Sequence, residues 1–244
     1  MTNSKPHLLG LLAGLFLAVG LLLSAMVVTR AWLKISESQT ISVTGSARKN
    51  VKSDMIVWRG MFSVEGSTLL DAQRQLKADL TKVETFLHAK GITNYTVDPI
   101  AIQEMKARGK REDEPSDKTV GYRLSHTVQI RSSQVEQVAQ LDRETTVLIE
   151  QGVLFTTFPP EYIYTKAGEA KIEMLAEATK DARARAEQIA SQGARRISQL
   201  RAARVGVFQV TPLHSSMTSS EGFNDTSSLE KTITAVVTTT FSLK

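Results

Sequence analysis

A serine and a lysine three residues apart, Ser46 and Lys49 in Ser-Ala-Arg-Lys, come nearest to a catalytic motif in this chain of 244 residues. On a helix, Ser-x-x-Lys spacing brings a lysine amine toward a serine hydroxyl, where a neutral amine acts as the base for a nucleophile. Here the tetrad follows a strand-like stretch and a glycine, and the Ser-Asp-Asn and Lys-Thr-Gly motifs of such hydrolases are missing. A hydrolase built on Ser46 and Lys49 is therefore an alternative reading, and no residue is assigned as catalytic.

The four histidines, His7, His88, His126 and His214, lie far apart with no His-x-x-Glu-His spacing or carboxylate cluster around them. No metal site and no cofactor are expected. His126 falls on an apolar strand face and reads as a hydrogen-bonded core histidine. Gly-x-Ser-x-Gly, the P-loop and Gly-x-Gly-x-x-Gly are absent, and with no cysteine neither disulfides nor thiol chemistry can occur.

Charge points to a membrane more than to a polyanion. The formal net charge is +5, but Lys5, Arg30 and Lys34 flank an apolar N-terminal run. Without those three of the 30 basic residues, 27 stand against 25 acids, so nucleic acid is not an expected partner. A basic cluster at 106–111 (Lys106, Arg108, Lys110, Arg111) leaves peripheral binding of anionic lipid or another polyanion as a further alternative. From Leu8 to Val28 the chain runs 21 residues without a charge, enough at about 1.5 Å per residue to cross a hydrocarbon core of about 30 Å. The exit, Ser-Ala-Met-Val-Val-Thr-Arg-Ala-Trp, lacks a small-x-small cleavage site, so an uncleaved anchor over residues 1–35 is expected, with a cleavable export signal as the alternative. Basic residues on both sides fix orientation weakly.

The elements beyond the anchor come from periodicity. Thr-Ile-Ser-Val-Thr-Gly-Ser-Ala and the segment from Asp54 to Gly66 read as strands, with Ile56, Trp58, Phe62 and Val64 on one face and Gly60 marking a close backbone approach or a bulge. Thr68 and Asp71 form a capping pair that opens a helix with the stripe Leu69, Leu76, Leu80, Val83 and Leu87, ending at Lys90-Gly91. A strand near 96–106 and a charged hairpin tip lead to the alternating Tyr122, Leu124, His126, Val128 and Ile130. A short helical region at 133–151 follows, then a strand at 152–164 that Pro159-Pro160 confines to an edge or splits. A helix over 166–192 carries Ala178, Ala182, Ala186 and Ala190 in one line, with Leu175 and Ile189 beside it, suited to close packing on a sheet, and ends on Gly193. Strands near 200–211 and 231–243 close the chain, joined by a Ser/Thr-rich loop. The last strand has no charge between Lys231 and Lys244 and reads as an edge that invites pairing. The fold class is α+β: an N-terminal transmembrane helix, then a domain over 36–244 with largely antiparallel sheet and two long helices. A coarse repetition of elements suggests halves at about 40–131 and 152–244.

Ile-Ser-Val-Thr-Gly-Ser-Ala, the strand with Trp58 and Gly60, and the series Ala178, Asp181, Ala182, Arg185, Ala186, Ala190, Gly193 together resemble the SIMPL-domain family of bacterial envelope proteins, over about residues 38–244. Arg195-Arg196-Ile197-Ser198 departs from the family's smaller Leu-Gly turn, so that connection is expected to be built differently. The resemblance implies a periplasmic α+β domain that forms ring-like homo-oligomers, carries no established catalytic residues and has relatives linked to envelope or oxidative stress. The expectation is a single-pass inner-membrane protein with its C-terminal domain in the periplasm, or alternatively an exported one, acting as a non-catalytic scaffold or binding module.

Overall fold

The computed structural model describes residues 6–36, 39–107 and 118–244. The tip of the charged hairpin, most of the basic cluster at 106–111 and part of the polar link after the anchor lie outside the described residues. In chain order the elements are α1 (Pro6–Ser36), β1 (Thr40–Lys52), β2 (Met55–Gly66), α2 (Leu69–Ala89), β3 (Thr96–Val97), β4 (Ala101–Lys106), β5 (Thr119–Ser132), α3 (Val135–Glu144), α4 (Thr146–Glu150), β6 (Phe155–Ile163), α5 (Ala167–Gln192), β7 (Ile197–Val205), β8 (Gln209–Pro212), β9 (Phe223–Asn224) and β10 (Glu230–Leu243). This is an α+β fold with largely antiparallel sheets, β8 and β9 pairing in parallel.

Among the described residues the apolar span of α1 is Gly10–Leu33, 24 residues, which overlaps the uncharged run in the sequence. None of its most apolar window is buried against protein, so its leucines and valines face outward all round. A helix apolar on every side is suited to lipid.

The chain beyond α1 forms two compact units, and β1, α5 and β10 contribute residues to both. The larger unit, Arg48–Met174 with Val207–Ala235, contains a sheet of order β3-β5-β2-β6, with β4 also on β5. Strand β2 is interior because Ile56, Trp58, Phe62 and Val64 alternate onto one buried face. They meet Leu76, Val83 and Leu87 of α2 and Val138 and Leu141 of α3 in a single core. The Trp58 and Phe155 rings stack with centroids 6.0 Å apart. Phe155 also explains Gly60: a β-carbon there would stand 2.3 Å from the Phe155 Cζ, so an aromatic ring rather than another backbone makes the close approach. The prolines of β6 sit where the register against β2 slips, between Val57–Glu161 and Arg59–Phe158, on an edge strand as their missing N–H groups require.

Helix α2 begins as read, with the Thr68 hydroxyl accepting from the Asp71 amide, and ends at Lys90 before Gly91 at φ 76°. Its stripe is narrower than expected at the first turn, where Leu69 is exposed.

The smaller unit takes the start of β1, the later turns of α5, β7 and the end of β10. Ala178, Ala182, Ala186 and Ala190 are all buried, as their spacing predicts, but Ile189 is 55% exposed and does not join them. Gly45 of β1 lies beneath this line, and the Ser46 amide donates to the Asp181 carboxylate at 2.8 Å. The helix does not end on a left-handed Gly193: the positive φ, 52°, falls on Ala194, and the Arg195 amide reaches back to the Ala190 carbonyl.

Strand β10 is not an edge, which corrects the expectation drawn from its uncharged sequence. In the smaller unit Val237–Leu243 pair with β7 on one side, while Thr238 and Thr240 bond to Thr44 and Ser42 of β1 on the other. In the larger unit Lys231–Thr234 pair with β8, and Thr232 bonds to Asn50 of β1. Its freedom from charge reflects a strand flanked on both sides.

Candidate functional site

Alternation along β1 puts Arg48 and Asn50 on the face opposite Lys49 and Val51. In the larger unit that face continues through Thr232 and Thr234 of β10 to Thr211 and Gln209 of β8, which stand directly opposite them in register. Over this polar floor folds the segment His214–Thr218, leaving a cleft of about 470 Å³.

The roof is held by specific bonds. The Gln209 carboxamide donates to the Ser219 carbonyl at 2.6 Å and accepts from the Ser219 amide at 3.3 Å. The Ser215 amide closes a turn onto the Pro212 carbonyl, and the Ser215 hydroxyl accepts from the Met217 amide. His214 sits in the left-handed region at φ 63°, an uncommon backbone state for a residue other than glycine.

Further along the same connection, the Lys231 ammonium is buried and donates to both the carbonyl and the carboxylate of Asp225, at 2.7 and 3.0 Å. Burial alone would raise the Asp225 carboxyl, but hydrogen bonds from Ser227, Lys231 and Ser228 outweigh it and hold the group at about 2. This internal pair closes the Ser/Thr-rich loop between β8 and β10.

Among the described residues no Asp or Glu lines the cleft and Arg48 has no ion-pair partner. Asn50 accepts from the Thr232 hydroxyl at 2.9 Å through Oδ1, which directs its NH₂ donors elsewhere. The walls therefore present one guanidinium, amide donors and hydroxyls, a set suited to holding a polar anion.

The Ser46/Lys49 pair does not come together as a helical Ser-x-x-Lys would. Both residues lie on β1, where side chains three apart point to opposite faces. The Lys49 ammonium pairs with Glu173, and that hydrogen bond raises the lysine above its ordinary value, the wrong direction for a base that must be neutral. His126 is partly buried against the Phe62 ring, and its Nδ1–H donates to the Asp98 carbonyl at 2.8 Å, the structural role expected of it.

Sequence reasoning missed the cleft because its lining comes from three separated stretches, 48–50, 209–218 and 232–234. The available signal was the polar alternation in β1 and β10.

A family model for SIMPL, described as a protein of unknown function (DUF541), matches residues 41–241. No curated protein matches the sequence.

Proposed function

Because the chain belongs to the SIMPL family, we infer that it is a non-catalytic scaffold or binding module, anchored in the inner membrane by α1 with its remaining residues in the periplasm, that self-assembles. The observation that carries the anchoring is the Gly10–Leu33 span, apolar except for Arg30 near its end and longer than a bilayer core requires. The absence of a small-x-small exit favours its retention. Since the chain has no cysteine, one added after Lys244 gives a unique label. With the N-terminus inside, a membrane-impermeant thiol reagent applied to cells with a permeabilised outer membrane labels it; protection until the inner membrane is lysed contradicts the orientation.

Self-assembly rests on the family resemblance and on the free edge offered by β4. Among the described residues that strand pairs only with β5, and it carries exposed Ile102. An unpaired edge with an outward apolar side chain is a template for another strand. Light scattering on the detergent-solubilised full chain gives a mass several times that of one chain, and Ile102→Lys reduces it; a monomeric wild type contradicts assembly.

A further inference from the structure

We propose that the cleft between the polar face of β8 and β10 and the His214–Thr218 roof is a binding site for a sugar bearing one anionic group, a carboxylate or a phosphate. The inference names a ligand for the binding-module reading and does not depend on self-assembly.

Charge comes first. Arg48 is exposed, has no ion-pair partner among the described residues, and no acidic residue lines the cleft with it. A guanidinium left with all its donors free matches carboxylate and phosphate oxygens in pairs.

The rest of the lining selects what carries that anion. Thr234 projects from the same face as Thr232, two positions along β10, and Asn50 has its carbonyl oxygen occupied by Thr232 and its NH₂ free to donate. Hydroxyls that both donate and accept, beside an amide donor, satisfy ring hydroxyls, which need both from their surroundings. Met217, 58% exposed at the rim, supplies apolar area for the C–H face of a ring.

The same lining excludes other anions. A nucleotide base would lack a stacking aromatic, since among the described residues the one ring lining the cleft is the His214 imidazole. An acyl chain would lack an apolar wall. The volume of about 470 Å³ lies inside the range of roughly 300–1,000 Å³ typical of small-molecule sites.

Titration calorimetry on the full chain in phosphatidylcholine nanodiscs tests this with glucuronate, glucose 6-phosphate, glucose, acetate and inorganic phosphate. Glucuronate or glucose 6-phosphate binds at least about tenfold more tightly than glucose, acetate and inorganic phosphate, and which of the two is tighter identifies the anionic group. Arg48→Met abolishes that binding while Arg204→Met, at an exposed arginine of β7, leaves it unchanged. Thr234→Val weakens the sugar acid more than it weakens the bare anion. Failure of both sugars to bind, binding indifferent to Arg48→Met, or inorganic phosphate and acetate binding as well as the sugars would each overturn the proposal.

Discussion

Gly45 of β1 and Ala182 of α5 approach so closely that a β-carbon on Gly45 would stand 2.3 Å from the Ala182 amide nitrogen. Backbone faces backbone there, and Ala182 is fully buried. Ala182→Leu therefore overpacks the contact and costs about 1–3 kcal/mol. Gly45→Ala also destabilises, because helix backbone cannot swing aside as a side chain would. Arg183→Ala, which removes only an exposed i, i+4 pair with Glu187, costs under about 0.5 kcal/mol. Denaturant midpoints of the solubilised protein, followed by Trp58 fluorescence in a Trp32→Phe background, check all three. Equal shifts for Ala182→Leu and Arg183→Ala would contradict the facing of α5.

At the end of the same helix, Ala194 holds the left-handed backbone that Gly193 was expected to take. A left-handed conformation costs a residue with a β-carbon about 1 kcal/mol. Ala194→Gly is accordingly expected to stabilise by up to about 1 kcal/mol, and Gly193→Ala, whose new β-carbon meets nothing nearer than 3.5 Å, to change little. A stability order with Gly193→Ala the more disruptive would move the turn by one residue.

The Lys231–Asp225 pair sets an acid limit on the larger unit. Asp225 is held at about 2 in the folded chain, below its ordinary 3.8. Its contribution, about 2 kcal/mol, is fully present above pH about 4 and is lost as pH falls toward about 2. Asp225→Asn flattens the pH dependence of stability across that window. Lys231→Met leaves a buried carboxylate without its cation and costs about 3 kcal/mol near neutral pH. Unfolding midpoints measured from pH about 2 to about 7 distinguish the two; an unchanged acid slope in Asp225→Asn would show that other carboxylates carry it.

What could be read from the sequence was what repeats locally. The Thr68 cap, the Ala178–Ala190 line and the Ile56–Val64 face each depend on spacing within one element, and each appears where periodicity put it. Relations between distant segments were not legible. An uncharged, threonine-faced strand such as β10 has the same composition whether it lies at an edge or between neighbours, so its flanking by β1 on one side and β7 and β8 on the other is a property of topology alone. The cleft failed for the same reason: Arg48, Gln209 and Thr234 become neighbours only when three strands align. Ala194 shows a third limit, since the turn after α5 places its left-handed residue one position past the glycine that local rules favour.

The proposed anchoring requires that α1 stay attached and hold the chain in a membrane. Intact-mass spectrometry of the protein extracted from the membrane fraction tests it most directly. The expected mass includes the Gly10–Leu33 span, and the protein resists alkaline extraction from the bilayer. A mature species beginning near Arg30 or later, released in soluble form, would contradict it.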